Sequence, residues 1–426
     1  MSSVLVCAAP FQGHVAPALA AAEGLVQRGH RTRLLTGSRF RDQVERAGVE
    51  WVPLPAEVDF DETAMDEWFP QRRELRGLAQ AKFDLEHGFL RPMTAQASAI
   101  DRLIAAEPTD AVLAETMFFG VIPLALNTGP RPRVVALGCN PLNLPAVGVP
   151  PVGTGWAPTT GVAGRVRNAA ARLAIERLVF GSLQSAAATA AAGAGARLPG
   201  FVMDWLSWVD EIVQLTVPGF EYPREGTVPV RFAGPLSRSG DGDHPLPDWW
   251  SGLDPDRPTV LVTQGSAVPD PHNLILPVVE ATEGMALNLV ISAPDSMDLG
   301  RLPSYARRSP FLPYDAVFPR LSAFVTNGGY GGVGFAIRHG VPVLSVGASE
   351  DKGEVAARVR WSGLGIGIRR NQIPRARAER ALHRLLSQQA YRRSAARLQR
   401  QAAEAPGIES VVAAVSDRRG APSRWS

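Results

Sequence analysis

His14 and Glu115 have the side-chain types and settings for proton transfer. His14 sits in AAPFQGHVAP, just past an apolar run that reads as the first strand, and an imidazole has the pKa to act as a base near neutrality. A lone histidine in a turn is as often structural as catalytic. Glu115 closes the apolar run AVLA in TDAVLAETMFFG. A carboxylate at the end of a strand of the same sheet can orient an imidazole and stabilise its protonated form. The alternative for Glu115 is an acid that satisfies backbone donors at a helix N-terminus.

A third chemical feature lies in the main chain. Five of the nine residues from Asn327 to Phe335, in AFVTNGGYGGVGFAIRHG, are glycine, and they fall where a strand gives way to a helix. Without β-carbons a ligand can approach the backbone, and the free N–H groups of the helix's first turn favour an anion, usually a phosphate. Turning alone does not call for so many glycines, since each costs conformational entropy. Glu350 and Asp351 follow after one more apolar segment. Read literally, Gly329-x-Gly331-x-x-Gly334 is a GxGxxG with an acid about where a dinucleotide-binding fold keeps its ribose ligand, so an NAD(P)-dependent oxidoreductase is a rival reading. Against it, the motif lies deep in the second half of the chain after two earlier strands, whereas the fingerprint joins the first strand of its unit to the first helix.

These residues need a scaffold that delivers strand ends to one place. Apolar strand-like runs alternate with helical patterns almost throughout: SVLVCAAP, HVAPALAAAEGLVQRG, HRTRLLTG, RFRDQVERAG and EWVPLP read as βαβαβ, the rhythm of a parallel sheet covered on both faces. The rhythm blurs from 56 to 108 and returns with DAVLAETMFFGVIPLALN and RVVALG. A Pro- and Gly-rich stretch (141–164) and an alanine-rich one follow. SRSGDGDHPLPDWWSGLDPDRP is a linker candidate, and a second α/β rhythm begins at TVLVTQGS. A chain of 426 residues exceeds what one core usually organises. The expectation is an α/β protein with two doubly wound Rossmann-like domains facing across a cleft: an N-terminal domain over 1–236, a linker over 237–257, a C-terminal domain over 258–403 and a tail over 404–426.

Composition excludes several classes. At 45% hydrophobic and 20% charged the chain is globular, and no apolar run reaches the roughly 18 residues of a membrane span. The opening SSVLVCAAP lacks the leading basic residues of a secretory signal, so a cytoplasmic protein without stable membrane insertion is expected. Two cysteines, Cys7 and Cys139, leave no four-thiolate zinc site and make disulfide stapling unexpected. A formal charge of +3 gives no case for nucleic acid. The arginine-rich segment from 369 to 400 reads first as a solvated helix face, with an anion- or membrane-contacting surface as the alternative.

With these pieces in place the chain resembles the family 1 glycosyltransferases of the two-domain GT-B fold, above all bacterial enzymes that glycosylate natural products such as macrolides. FQGHVAPALAAAEGLVQRGHRTRLLTG is similar to their N-terminal signature. VLVTQGS is similar to a loop that touches the donor's diphosphate, and SPFLPYDAVFPRLSAFVTNGGYGGVGFAIRHGVPVLSVGASEDK to the donor signature. The resemblance implies His14 as general base and Glu115 as its support. It implies that Gly265, Ser266, Asn327, Gly328, Gly329, Tyr330, Gly331 and Gly332 hold the diphosphate. Phe311 would stack on the nucleobase with the Leu312 main chain at the base edge, and Glu350, Asp351 and Lys352 would border the donor sugar. Three positions depart from the family's pattern: Asn327 replaces a common histidine, Phe335 an acid that grips the ribose, and Lys352 a frequent glutamine.

The reaction implied is an inverting, metal-independent transfer of a sugar from a UDP- or TDP-sugar to a hydroxyl of a hydrophobic acceptor, such as a polyketide or aromatic aglycone, with no cofactor beyond the nucleotide sugar. Phe11, Gln12, Trp68, Met117, Phe118 and Phe119, with Trp205 and Trp208, are the candidate acceptor-binding residues; for each, ordinary core packing is the competing explanation. The expected partners are the nucleotide sugar and the acceptor, the expected state a monomer or homodimer. A non-catalytic activator with this fold, and a sugar-nucleotide epimerase, are the remaining alternatives.

Overall fold

Strands form wherever the sequence supplies four to six mostly apolar residues bounded by turn formers. A computed structural model describes residues 1–226, 228–236, 245–265 and 270–417. Among these, seven strands build the first sheet: β1 (Ser3–Cys7), β2 (Arg31–Thr36), β3 (Glu50–Pro53), β4 (Ala111–Glu115), β5 (Arg133–Gly138), β6 (Glu211–Gln214) and β7 (Val230–Phe232). Six build the second: β8 (Thr259–Thr263), β9 (Asn288–Ser292), β10 (Ala306–Ser309), β11 (Ala323–Thr326), β12 (Val343–Val346) and β13 (Gly365–Ile368). Every pairing is parallel, as the alternating pattern requires. Central strands such as β4, AVLAE, are buried along their whole length because helices cover both faces.

The strand orders decide where a ligand can sit. The first sheet runs β3-β2-β1-β4-β5-β6-β7 and the second β10-β9-β8-β11-β12-β13. In each, the chain winds outward on one side, then returns to start the other half beside its first strand. At that reversal the connections leave in opposite directions and open a crevice at the carboxyl ends of the strands. In the first sheet the crevice falls between β1 and β4, in the second between β8 and β11. The chemical residues flank these two points.

Helix α1 (Gln12–Gln27) follows β1 and buries Val15, Ala18, Leu19, Ala22 and Leu25, a stripe at helical spacing, against the first sheet. Helix α2 (Tyr330–His339) follows β11, and α3 (Lys352–Trp361) follows β12. The arginine-rich C-terminal segment is helical, with α4 (Gln389–Glu404) burying only Ala395 and Leu398. The expected tail over 404–426 is corrected in part: residues 408–416 are helix α5 (Ile408–Ser416), which returns to the first domain. Its Val411, Ala414 and Val415 join the core under β1, β4 and β5, and Ile408 packs where Gly24 of α1 lacks a side chain. The linker expected over 237–257 lies outside the described residues up to 244; beyond that, Asp248–Gly252 is a short helical turn whose Trp250 is buried in the second domain's core. No helix among the described residues is long and apolar enough to cross a membrane.

Candidate active site

His14 lies in the first turn of α1 and Glu115 is the last residue of β4, so the crevice of the first sheet brings them together across 101 positions of sequence. His14 Nδ1 stands 2.7 Å from Glu115 Oε2. The carboxylate is fully buried and held on both oxygens: Ala9 N–H donates to Oε1 at 3.2 Å and Met117 N–H to Oε2 at 2.7 Å. Both expectations for Glu115 therefore meet in one group, since it satisfies backbone donors and orients an imidazole. Burial pushes the His14 imidazole down, but the adjacent Glu115 carboxylate and the Cys139 thiol outweigh it and hold the ring well above its ordinary pKa. In the neutral ring Nδ1 keeps its proton on Glu115, so Nε2 is then the nitrogen that takes a proton from a ligand.

An aromatic wall stands beside the imidazole. Phe11 stacks on Phe89 with centroids 4.6 Å apart and meets Phe60 edge-on at 5.4 Å, while Phe89 approaches His14 at 5.6 Å. Phe89 reaches this place from a single π-helical turn, Glu86–Leu90, and the neighbouring Gly88 leaves room for the Phe11 ring. Trp68, half-exposed, touches the outer side of Phe60 at 6.4 Å, and Gln12 is exposed with its main-chain N–H on Glu62. A cavity lined in part by Val58, Phe69 and His87 shares Phe60 with this wall.

Several expected acceptor contacts are corrected. Phe118 and Phe119 are fully buried among the core residues between the first sheet and its helices, so they line no cleft. Trp205 is buried there too, with its indole N–H on the Thr116 carbonyl, and Trp208 packs against the same core. The run MFF follows β4 into a helical turn that faces inward, which its apolar character alone does not distinguish from a ligand-facing loop. Met117 is half-buried against that core and acts at the site through its main chain.

On the opposite sheet, Gly265 follows β8 and Asn327–Gly332 follow β11. The two loops meet: Asn327 Nδ2 donates to the Gln264 carbonyl, and a β-carbon on Gly265 would touch the Asn327 amide at 3.4 Å. Ser266 lies outside the described residues. Gly328 takes φ +94°, which few other residues adopt, and a β-carbon there would come within 2.8 Å of Ser345 Oγ. Gly329 is the N-cap of α2 and, as a glycine, offers no side-chain cap, so among the described residues the first-turn N–H groups are left for another acceptor. Gly331 is exposed at that end. Tyr330 differs from expectation in its side chain, which is buried and turned into the domain interface, where its hydroxyl meets Gln214 Nε2 at 2.7 Å and Glu221 Oε1 at 3.3 Å.

Phe311, two residues after β10, is 39% exposed, while Leu312 is buried and offers only its main chain. Phe335 packs against Tyr314 and Phe318 inside the second core, so it cannot replace the ribose-binding acid it displaces. Glu350 is exposed in the left-handed region at φ +52°, the only such non-glycine residue described, and pairs with the buried Lys352 ammonium. Asp351 precedes α3. Burial, with the neighbouring Glu350 charge, pushes its carboxyl up to about 6, against the pull of Lys352 and of His14. The contact of Gln214, the last residue of β6, with the hydroxyl of Tyr330 at the start of α2 brings the carboxyl ends of the two sheets together.

Cys139, Phe60 and Phe89 are site residues that the motifs did not single out. Cys139 follows β5, beside β4; its thiol lies 3.6 Å from Glu115 Oε2 and 3.9 Å from His14 Nδ1. A strand-end cysteine next to a strand-end glutamate is a signal only once the order β4-β5 is known.

Comparison with known proteins agrees with this architecture. Residues 279–417 match the model described as Erythromycin biosynthesis protein CIII-like, C-terminal domain, and residues 12–113 match the Glycosyltransferase family 28 N-terminal domain. The protein belongs to the natural-product glycosyltransferases of the GT-B fold. It is 33% identical over 414 residues to 4'-demethylrebeccamycin synthase of Lentzea aerocolonigenes, covering 96% of this chain and 97% of that one. Among solved structures it superposes on the glycosyltransferase of kitacinnamycin with a TM-score of 0.71 at 18% identity, covering 97% and 98% of the two chains. It superposes on glycosyltransferase VinC in complex with dTDP with a TM-score of 0.67 at 20% identity, covering 97% and 98%. The GxGxxG at 329–334 thus belongs to a glycosyltransferase, and its last glycine, Gly334, faces Pro235.

Proposed function

We propose that the protein moves a sugar from a UDP- or TDP-sugar to a hydroxyl of a hydrophobic, aromatic or polyketide-like small molecule, with inversion at the anomeric carbon and without a metal. His14 Nε2 takes the proton of the acceptor hydroxyl. That oxygen bonds to the anomeric carbon as the bond to the diphosphate oxygen breaks on the opposite side, and Glu115 steadies the imidazolium. The charge growing on the leaving diphosphate falls on the first-turn N–H groups of α2, with Gly265 and Asn327 beside them. Asp351 accepts hydrogen bonds from sugar hydroxyls. The rings of Phe11 and Phe89, backed by the buried Phe60, offer a flat apolar acceptor an aromatic face.

The observation that carries this reading is the buried His14–Glu115 pair at 2.7 Å, in a protein whose second sheet presents the glycine start of α2. The dTDP bound by VinC and the natural-product relatives support a nucleoside diphosphate donor. The test is His14→Ala, assayed for transfer and, by titration calorimetry, for UDP and TDP binding. Transfer should fall by on the order of 10²–10⁴ while nucleotide affinity stays within a few fold. Undiminished turnover would remove His14 from the mechanism, and no affinity for either nucleotide would remove the donor class. Transfer should persist after dialysis against a chelator.

A further inference from the structure

The side of the imidazole turned away from the cleft carries an arrangement that proton transfer does not need. Cys139 Sγ, at the end of β5, lies 3.6 Å from Glu115 Oε2 and 3.9 Å from His14 Nδ1, which is itself 2.7 Å from Oε2. These three atoms form a compact group of nitrogen, oxygen and sulfur donors on three buried or nearly buried side chains. The triangle with these sides has an interior point about 2.0 Å from each corner, and a small step out of its plane gives about 2.0–2.3 Å, the bond lengths zinc takes to imidazole, carboxylate and thiolate. Glu115 is already fixed by the N–H groups of Ala9 and Met117, and Thr116 Oγ1 sits 3.6 Å from the sulfur, so the donors are oriented from behind. The partly exposed face of His14 gives an entry path from the cleft.

We propose that His14 Nδ1, Glu115 Oε2 and Cys139 Sγ form an inhibitory site for a soft divalent cation, zinc above all, that switches off the general base. On binding, the Cys139 thiol and the imidazole Nδ1 each give up a proton to solvent while Nε2 keeps or takes up one from solvent, and the ion stands where the Nδ1 proton stood against Glu115. A neutral imidazole bound through Nδ1 carries its one remaining proton on Nε2, the nitrogen that must be empty to accept the acceptor's proton. The nucleotide subsites on the second domain stay untouched. Thiolate and imidazole together select zinc, cobalt or cadmium over magnesium and calcium, which prefer oxygen donors. The inhibitory part rests on His14 being the base; the site itself does not.

Cobalt(II) separates the two. Titrated into the intact, folded protein it should produce a thiolate-to-cobalt charge-transfer band that is lost in Cys139→Ser and kept in Cys7→Ala, with circular dichroism checking each fold. No such band in the wild type, or one that survives in Cys139→Ser, overturns the site. Zinc should then suppress transfer with donor binding unchanged, and Cys139→Ser, measured against its own metal-free rate, should need on the order of 100-fold more zinc. Equal zinc sensitivity in the two proteins overturns the inhibition. A cobalt band without zinc inhibition would instead locate the failure in the role given to His14.

Discussion

A carboxylate without an exposed atom can only act through what it touches, and Glu115 touches one imidazole, one thiol and two amides. Glu115→Gln keeps the shape and one oxygen acceptor but removes the charge that stabilises the imidazolium. Turnover should fall by on the order of 10²–10⁴, as for loss of a triad carboxylate, with donor KM little changed and partial rescue by Glu115→Asp. A parallel loss in donor KM would mean that Glu115 merely holds the fold. Asp351 makes a pH prediction whose two signs oppose each other. Its carboxyl is raised to about 6, so the folded protein binds that proton more tightly than the unfolded chain does. Its contribution to stability is fully present below the unfolded carboxylate pKa and is lost as pH rises through 6. Donor binding needs the carboxylate as acceptor, so affinity for the nucleotide sugar should drop as pH falls through 6 while affinity for the free nucleotide does not. Calorimetry with both ligands at pH 5 and 7 checks this, and Asp351→Asn should abolish the difference.

At the scale of elements, the glycines after β11 divide into two kinds that sequence alone treats as one. Gly328 is required by conformation, with φ +94° and Ser345 close by, whereas a β-carbon on Gly329 would meet nothing within 4 Å at an ordinary φ of −61°. Gly329→Val should therefore leave the melting temperature almost unchanged, yet stand a branched side chain before the open N–H groups of α2 and raise donor KM by about tenfold or more. Unaltered kinetics would mean that the donor does not approach there. The alternation of strands and helices, the strand-to-helix glycine loop and the strand-end placement of Glu115 were all legible, because each is a pattern within one short segment. Helix α5 was not. Its apolar stripe of Val411, Ala414 and Val415 is short and lies beyond the second domain, and only the returning chain shows that it completes the first core. Val411→Ala should cost about 2 kcal/mol in denaturant unfolding, the range for truncating a buried aliphatic side chain; an exposed tail would give no change.

Over the whole molecule, the two domains are joined by buried charge. Glu221, between β6 and β7, accepts from Arg358 of α3 at 2.7 Å, from Leu142 N–H at 3.0 Å, from Arg224 at 3.4 Å and from the Tyr330 hydroxyl at 3.3 Å. Arg358 also reaches Glu354, whose other oxygen accepts from Gly153 and Gly155 of the first domain at 2.9 and 2.8 Å. Burial alone would raise the Glu221 carboxyl; the Arg358 and Arg224 guanidinium groups hold it below its usual value. Removing one partner from such a cluster leaves charge stranded, so Glu221→Gln should destabilise the protein by about 3–5 kcal/mol. Because Tyr330 opens α2, the same change should weaken donor binding, and Tyr330→Phe should reproduce that weakening with a smaller stability loss. A loss of stability with donor affinity intact in both variants would separate the cluster from the phosphate loop.

What the sequence determined by itself is what neighbouring residues decide together: parallel α/β units from hydrophobic period and turn chemistry, an anion-seeking helix start from bare backbone, and a family signature from their order. The tertiary structure alone decided which side chains face the cleft. Strand order sets Cys139 beside Glu115 and Phe89 beside His14, turns Phe118 and Phe119 into the core, and joins Glu221 to Arg358 across 137 positions. The physical reason is that burial and electrostatics act through space. A residue's partners are fixed by how the sheets are wound, and one strand placed elsewhere would give the same local patterns a different site.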